Sequence, residues 1–328
     1  MIRPSTIAVV AGALGGLLLV AALRQSVLGV LIGAMLSPLP LVMVVFCLGV
    51  SHLPVAVVAG AISVAVMTGS FPLAAVYLAI DAAPVAVLSR LGLAAATTGG
   101  APVAGFALGR TVSALVLAAF AAVVVGLAMI SAGPDGLEAT LRSRLETMLP
   151  ALPAAPAADA AGNLNGGGFD LAATRSEMIR AMAGFLPGAA AWDWCLRAII
   201  SAGLGQMLLT RMKLAVWPTP DYRGFAAPQW FFALFGVTAI AAALLRDDAG
   251  FIAGNAAAIL SLPLILQGLA VVHTAAAQTK QRLIWLLGFY VFALVMASVA
   301  LVALAGLGVM DGFLHIRTRY LARRNGGE

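Results

Sequence analysis

The residue most able to do chemistry is a carboxylate inside an apolar stretch. Asp81 lies in FPLAAVYLAIDAAPVAVLSR, near the middle of a segment long enough to cross a bilayer. A charge at that depth costs roughly 2.5–3.5 kcal/mol on the insertion scale, and such groups often mark a path for a substrate, ion or proton. Tyr77 and Pro84 share its helical face. We expect Asp81 to face a cavity with Tyr77 as hydrogen-bonding neighbour; the alternative is a carboxylate satisfied by another helix.

A second group combines two charges and two indoles in the stretch AAAWDWCLRAII. Asp193 and Arg197 are spaced i,i+4, so the two side chains can neutralise each other on one helix. Trp192 and Trp194 beside them are typical of a membrane–water interface. We interpret the group as an interfacial anchor with a satisfied ion pair, in preference to a ligand site.

Three polar side chains interrupt another long apolar region, which ends in LQGLAVVHTAAAQTKQR. Asn255 and His273 are five helical turns apart and nominally share a face, whereas Gln267 points about 120° away. Polar residues in membrane helices usually bridge to other helices, and we favour that role here. His273 lies nearer the end of its segment at Lys280 than the bilayer centre. The three remain candidates for ligand binding, but this spread does not make a metal site.

The motifs of common catalytic sites do not occur in the sequence. There is no GxxxxGK[ST] phosphate loop, no HExxH zinc motif and no GxSxG nucleophile elbow. Asp81 has no second mid-membrane aspartate, which disfavours an intramembrane aspartyl protease. Cys47 and Cys195 lie in separate apolar segments without a CxxC pair, which indicates neither a disulfide framework nor a zinc site. We predict that the protein is not an enzyme and needs no metal or cofactor.

The composition places the chain in the lipid bilayer. Of its 328 residues 62% are hydrophobic and only 10% are charged, and the mean hydropathy is +1.04. Soluble domains carry about 25% charged residues, which cover their apolar core. This chain has too few charged residues to cover a core in that way. The net charge is +6. We interpret the basic residues as part of cytoplasmic loops, where they meet anionic headgroups. No aromatic–basic pattern indicates nucleic-acid binding.

Apolar windows of about 20 residues predict an all-α, polytopic transmembrane helical bundle with about eight or nine spanning helices. Two close prolines in SPLP should break the second region, because each removes a backbone donor. A Gly/Ala/Thr-rich connection or interfacial segment is expected at 91–109. Four GxxxG pairs indicate close helix packing: Gly12/Gly16, Gly29/Gly33, Gly105/Gly109 and Gly250/Gly254. The predicted spans are 7–23, 39–50 after a short piece at 27–36, 54–67, 72–90, 111–131, 190–211, 229–246, 251–276 and 283–309.

An extramembrane insert divides the chain into two sets of membrane helices. DGLEATLRSRLETML places Leu137, Leu141, Leu145 and Met148 on one face, so it predicts an amphipathic helix that lies on the membrane or packs on a neighbour. A flexible linker follows at 150–170, and the capping-box spacing of TRSE from Thr174 predicts the start of another helix. The predicted parts are 1–132 with about five spans, 133–189, 190–312 with about four spans, and a basic tail at 313–328.

The predicted topology contains a conflict. The arginine-rich tail, with Arg317 and Arg319, favours a cytoplasmic C-terminus. Nine spans would then place the N-terminus outside, together with the basic residues Arg90 and Arg110. An error of one in the number of spans, which we expect near the double proline, would remove the conflict.

Several stretches together resemble the YybS-like family of bacterial membrane proteins, whose domain has no established function. The resembling features are SPLP at 37–40 before Ser51-His52, PQW at 228–230, QGLAVVH at 267–273, and GVMD at 308–311 followed by Phe313, Arg317 and Arg319. Asp311, Arg317 and Arg319 form the motif of the tail. The sequence departs from the family at Leu53 and at His315.

That family is distantly similar to the substrate-binding S subunits of energy-coupling-factor transporters and to the rod-shape protein MreD. The resemblance implies a multi-pass protein of the bacterial inner membrane. We expect it to bind a small molecule, or to help transport one with a separate membrane or cytoplasmic partner. The alternative is a non-catalytic scaffold for cell-envelope proteins. Both expectations are analogies at the level of the fold.

Overall fold

The structure, a computed structural model, describes residues 3–23, 33–97, 108–130, 133, 135–148 and 171–319. Within these ranges the chain is helical and contains no β-strand. The α-helices, in chain order, are α1 Pro4–Leu23, α2 Leu39–Leu48, α3 Leu53–Thr68, α4 Phe71–Tyr77, α5 Ala83–Thr97, α6 Leu108–Met129, α7 Leu137–Met148, α8 Leu171–Arg211, α9 Gln229–Leu244, α10 Asp247–Ala276, α11 Arg282–Val295 and α12 Ala297–Leu314.

Within the described ranges, length and composition make six helical segments suitable for crossing a membrane. They are Pro4–Leu23, Val50–Thr68, Phe71–Gly92, Leu108–Met129, Asp247–Ala276 and Ala297–Leu314. Three shorter apolar helices accompany them: Gly33–Leu48, Gln229–Leu244 and Arg282–Val295. The predicted fold class, a helical membrane bundle, is confirmed.

Small residues allow α1 and α3 to touch backbone to backbone. A Cβ added to Gly12 would lie 1.9 Å from the carbonyl oxygen of Ala56, and one added to Gly16 would lie 2.6 Å from that of Gly60. The contacts advance in the same direction along both helices, so α1 and α3 are parallel. The GxxxG pair at 12 and 16 therefore packs as predicted.

A π-turn interrupts the segment that contains the buried carboxylate. Helix α4 starts after Ser70, whose hydroxyl accepts a hydrogen bond from the Leu73 amide at 3.3 Å. The chain then forms a π-turn at Leu78–Ala82, which contains Asp81, before α5 begins. Turns of this kind occur mostly as single insertions and frequently at functional sites. Helix α5 extends to Thr97, so part of the connection predicted at 91–109 is helical; residues 98–107 lie outside the described ranges.

Helix α8 is longer than the sequence predicts, and it continues through a proline. It spans 41 residues, so the boundary at 189 lies inside it, and Thr174 is an internal residue and not its N-cap. Pro187 has no amide hydrogen to donate. Beside it, the Asn255 side chain accepts from the Gly188 amide at 2.8 Å and donates to the Gly184 carbonyl at 3.0 Å. These are the two groups that an ordinary α-turn pairs with each other.

The amphipathic helix α7 packs on its neighbours. Leu137 and Leu141 are buried, and Leu141 packs in a small cluster with Leu127 and Ala183. Leu137 also donates its amide to Asp248 at 2.7 Å. Of the two arrangements that the sequence left open, the structure has the packed one. The linker predicted at 150–170 lies outside the described residues.

The predicted span at 283–309 is wrong, because the chain forms two helices there. Helices α11 and α12 meet at Met296, which has φ −111° and ψ 46°. Gln267 of α10 bonds to Asp311 of α12, and the next turns of both helices line one cavity. Helices α10 and α12 therefore point the same way, and α11 runs back between them. The described part of the chain therefore has two helices where one was predicted over 283–309, and the break between them lies at Met296.

Most described basic side chains collect at one end of the bundle, which we call the basic end. Helices α2, α5 and α8 end there, α6 and α9 begin there, and α10 and α12 end there. Its basic residues are Arg3, Arg90, Arg110, Arg211, Lys213, Arg223, Lys280, Arg282, Arg317 and Arg319. The opposite end mixes both signs, with Asp135, Glu138, Arg142, Arg144, Glu146, Arg175, Glu177, Arg180, Arg246, Asp247 and Asp248.

Candidate functional site

A buried ion pair joins α8 to the π-turn and to the segment before α2. We call this group the mid-bundle node; it comprises Ser37, Tyr77, Asp81, Asp193 and Arg197. The Arg197 Nη2 group donates to Asp81 Oδ1 and, at 2.8 Å, to Ser37 Oγ. The side chains of Asp81 and Arg197 are 0% and 5% exposed. Asp81 thus finds its partner 116 positions away in sequence.

Asp193, the predicted i,i+4 partner of Arg197, makes a longer and more exposed ion pair with it than Asp81 does. Asp193 Oδ2 lies 3.8 Å from Arg197 Nη1, and its side chain is 51% exposed. The indoles beside it bond to neighbouring helices: Trp194 Nε1 donates to the Ala79 carbonyl and Trp192 Nε1 to the Ala258 carbonyl, both at 2.8 Å. The group bridges helices within the bundle, where the sequence predicted an interfacial anchor.

Three buried polar atoms of the node have no hydrogen-bond partner among the described residues. They are Tyr77 Oη, Asp81 Oδ2 and Arg197 Nε. The Tyr77 ring packs against Gly60, where an added Cβ would lie 2.2 Å from Oη. Tyr77 is therefore a close-packed neighbour of Asp81 and does not hydrogen-bond to it. The prediction that Asp81 faces a cavity is wrong, because Asp81 is sealed between helices and lines neither cavity described below.

An apolar cavity of about 370 Å³ lies between α2, α5, α6, α8 and the segment at 217–222. Its walls are mainly aliphatic and aromatic, and include Phe46, Leu88, Leu108, Val112, Ile199, Ala202 and Trp217. Four polar side chains also line it: Thr111, Gln206, Thr219 and Tyr222. Gln206 donates to the Trp217 carbonyl at 2.7 Å and so fixes the segment that closes the cavity. The volume and lining are typical of a small-molecule pocket.

The apolar cavity and the node are built by the same helices. Leu88 follows Asp81 by seven residues on α5, about 10 Å along the helix axis. Ile199 follows Arg197 on α8, and Phe46 lies on α2, which follows Ser37. A change in the spacing of these helices at the node therefore changes the cavity, which lies further towards the basic end.

A second Asp–Arg pair holds the end of α12 to α10 and to the segment before α9. We call it the terminal clamp; it comprises Gln267, Asp311 and Arg317. Asp311 accepts from Gln267 Nε2 at 3.0 Å, and from the amide, Nε and Nη2 of Arg317 at 3.1, 3.0 and 2.7 Å. Arg317 also donates to the carbonyls of Arg223 and Phe225, and Gln267 Oε1 accepts from the Ala227 amide at 2.9 Å.

The clamp contains most of the residues that the sequence singled out in the tail and in QGLAVVH. Sequence reasoning favoured a helix-bridging role for Gln267 and kept it as a candidate for ligand binding, but it did not join Gln267 to Asp311. The available signal was that both residues belong to the same family resemblance. The clamp borders an open cavity of about 610 Å³ at the basic end, whose lining includes the charged side chains of Asp221 and Arg223. Its partners are internal to the protein, so it acts as a structural tie. Arg319, the third residue of the tail motif, is exposed.

His273 connects two tyrosines at the basic end. Its Nδ1 lies 2.5 Å from the Tyr222 hydroxyl and its Nε2 lies 2.8 Å from the Tyr290 hydroxyl. Asn255 hydrogen-bonds to the backbone of α8. Gln267 hydrogen-bonds to Asp311 of the clamp and to the Ala227 amide. The three polar residues of α10 thus bridge to other elements, and none of them joins another in a common site.

No group of three or more His, Cys, Asp or Glu side chains that could hold a metal ion occurs in the described part of the chain. Cys47 and Cys195 are free thiols, the first half-buried and the second buried.

Comparison with known proteins gives one family match. The model of a family described as Predicted membrane protein (DUF2232) matches residues 13–312, a range that includes the node, the apolar cavity and most of the clamp. No curated protein matches the chain, and no solved structure matches it.

Proposed function

The chain belongs to the predicted membrane protein family DUF2232, and we propose that it binds a small, mainly apolar molecule in the cavity between α2, α5, α6 and α8. The observation that supports this function is the cavity itself, with about 370 Å³ of space inside a membrane bundle. Ligand pockets are usually apolar, with a few polar groups that orient the ligand. Gln206, Thr219 and Tyr222 supply such groups. The ligand in this proposal has an apolar body and one hydrogen-bonding end.

We further propose that the basic end faces the cytoplasm of a bacterial cell and that the chain resides in the inner membrane. Basic residues are enriched in cytoplasmic loops, and both described ends of the chain, at Arg3 and Arg319, lie at the basic end. The test is labelling of a cysteine introduced at exposed Thr279 with a membrane-impermeant maleimide. Labelling only after the cells are opened supports this orientation, whereas labelling of intact cells contradicts it.

Transport of the bound molecule at the expense of ATP would require a separate energising partner, because the sequence contains no phosphate-binding loop. In this proposal the chain supplies the binding site, has no catalytic residue and needs no cofactor. The mid-bundle node would position α5 and α8 around the cavity, in place of the direct ligand contact that we expected of Asp81.

The binding proposal is tested by filling the cavity. Ala202 lines it on α8, so Ala202→Phe should displace the ligand; Ala190→Phe makes the same change at an exposed position of the same helix. Mass spectrometry then identifies the small molecules released from each purified protein. A molecule present with the wild type and Ala190→Phe, and absent with Ala202→Phe, supports the proposal. If Ala202→Phe releases the same molecules as the wild type and Ala190→Phe, the cavity is not the binding site.

A scaffold for envelope proteins is a second candidate, favoured by the exposed charged face of α7. Its apolar face is used internally, whereas Glu138, Arg144 and Glu146 are exposed. A photo-crosslinking amino acid at Arg144 in living cells tests this role. A single crosslinked protein, lost when Glu138 and Glu146 are changed to lysine, supports it. Crosslinks to lipid alone contradict it.

A further inference from the structure

The mid-bundle node carries more negative than positive charge. The carboxylates of Asp81 and Asp193 share one guanidinium, that of Arg197. The level of the node is well inside the bundle, since Asp81 lies near the middle of the segment Phe71–Gly92. Unbalanced charge at such a depth is costly. A second carboxylate close by also favours the protonated form of one of the two.

The elements packed around Asp81 supply no further charge near it. Helices α1 and α3 contain no charged residue. Besides Asp193 and Arg197 themselves, the titratable groups of α2 and of the nearby part of α8 are the thiols of Cys47 and Cys195. On α5 the next charge is Arg90, about 14 Å further along the axis. The phenol of Tyr77 is the remaining titratable group. The excess charge of the node therefore has no compensation in the described part of the chain.

The Asp81–Arg197 contact is only half made. An arginine presents Nε–H and Nη2 along one edge, and a carboxylate commonly accepts from both. Arg317 donates to Asp311 through these two groups. Towards Asp81, Arg197 uses Nη2 alone, which leaves its Nε and the Oδ2 of Asp81 buried and without a partner among the residues that the structure describes. Asp81 Oδ2 therefore has free lone pairs that can bind a proton.

We propose that the mid-bundle node binds one proton, at Asp81 Oδ2, and that Arg197 then moves from Asp81 towards Asp193. A hydronium ion gives up the proton: one of its O–H bonds breaks, an O–H bond forms at Oδ2, and a water molecule is released. Protonation makes Asp81 neutral and balances the node, with one guanidinium for one carboxylate. Arg197 Nη1 already lies 3.8 Å from Asp193 Oδ2, so the shift between partners is short. This goes beyond ligand binding, because it adds the proton as a second ligand.

Infrared spectroscopy of the purified full chain in lipid nanodiscs tests the site. A carboxylic acid in an apolar surrounding has its own C=O band, which should appear in the wild type as the pH is lowered. Asp81→Asn should lack that band at every pH, whereas Asp221→Asn, at an exposed carboxyl of the basic end, should retain it. A wild type without the band, or a band that persists in Asp81→Asn, overturns the proposal.

A second variant keeps the test valid even if Asp81→Asn does not fold. Asp193 is half exposed, so Asp193→Asn should fold, and it balances the charge of the node without a proton. The band should then appear only at a lower pH than in the wild type. An unchanged pH of appearance contradicts the shared-charge argument. A band absent from Asp193→Asn at every pH places the proton on Asp193 and overturns the assignment to Asp81.

Discussion

Two Asp–Arg pairs in the described part of the chain, Asp81–Arg197 and Asp311–Arg317, differ in how completely their hydrogen bonds are formed. In the terminal clamp, Asp311 accepts four hydrogen bonds and Arg317 reaches two backbone carbonyls. In the mid-bundle node, Arg197 and Asp81 make one direct hydrogen bond, and each retains an atom that no described residue pairs with. The two pairs use the same chemical groups, so their surroundings cause the difference.

Irregular backbone is what distinguishes these surroundings. The segment at 222–228 is not α-helical, and its carbonyls at 223 and 225 are free to accept from Arg317. Around Arg197 the backbone is largely helical, and helical carbonyls already accept from their own helix. Only side chains remain as partners, and Ser37 and two carboxylates are too few. A complete set of partners makes the clamp a fixed tie, whereas an incomplete set leaves the node able to exchange partners.

The clamp should be the more costly of the two to break. Asp311→Ala removes the acceptor of four donors and leaves Arg317 without its carboxylate, which should lower the free energy of unfolding by about 3–5 kcal/mol. Thermal unfolding in detergent, followed by circular dichroism, measures the change. Asp135→Ala, at an exposed position, is the control and should unfold like the wild type. If the two variants are equally stable, the clamp does not hold the bundle together.

Breaking the node should cost less, because Arg197 keeps a second carboxylate. Asp81→Ala should lower the free energy of unfolding by about 2 kcal/mol, the scale of one charged hydrogen bond. The same thermal measurement applies, with Asp311→Ala as reference. A larger loss for Asp81→Ala than for Asp311→Ala would reverse the comparison between the two pairs.

The exchange of partners predicts coupling between the two carboxylates of the node. Asp193→Ala alone should have a small effect, but in combination with Asp81→Ala it leaves Arg197 buried without a carboxylate. The double variant should lose about 1 kcal/mol more than the sum of the single changes. Asp193→Ala combined with Asp311→Ala is the matched control, since these sites share no partner and should be additive. Additivity in both pairs would show that Asp193 does not serve Arg197.

The smallest effect is expected at the hydroxyl of the node. Ser37→Ala removes the acceptor at 2.8 Å from Arg197 Nη2 and should cost about 1 kcal/mol. Ser51→Ala, at an exposed serine before α3, is the control for the loss of a hydroxyl. Equal unfolding temperatures for the two variants would remove Ser37 from the node.

The sequence predicted the helical segments well where the apolar windows were bounded by charges or prolines. It failed at 283–309, since both helices are apolar and neither proline nor glycine marks the reversal at Met296. It also failed at Asp81, because the depth of a carboxylate can be read from its own segment but its partner cannot. Arg197 lies 116 residues away, beyond any periodicity.

Glycine contacts also divide into those that spacing within one helix predicts and those that depend on residues distant in sequence. The pair at 12 and 16 repeats on one helix, so its packing is visible in the sequence. Gly268 and Gly308 cross with equal closeness, each with an added Cβ only 2.0 Å from a carbonyl of the opposite helix. These two glycines stand on different helices and form no GxxxG pair with each other. Their contact becomes visible only once α10 and α12 are placed side by side.

The uninterrupted length of α8 gives the node a mechanical connection to the far end of the bundle. If α8 tilts as a rigid rod about its contact with Asn255 at Gly188, Leu171 and Arg197 lie on opposite sides of the pivot. At 1.5 Å per residue the two arms are about 26 and 14 Å long. A sideways displacement of about 2 Å at the first turn would thus move Arg197 by about 1 Å the other way. That is enough to break the Arg197–Asp81 hydrogen bond, whereas Asp193 lies on α8 and would move together with Arg197.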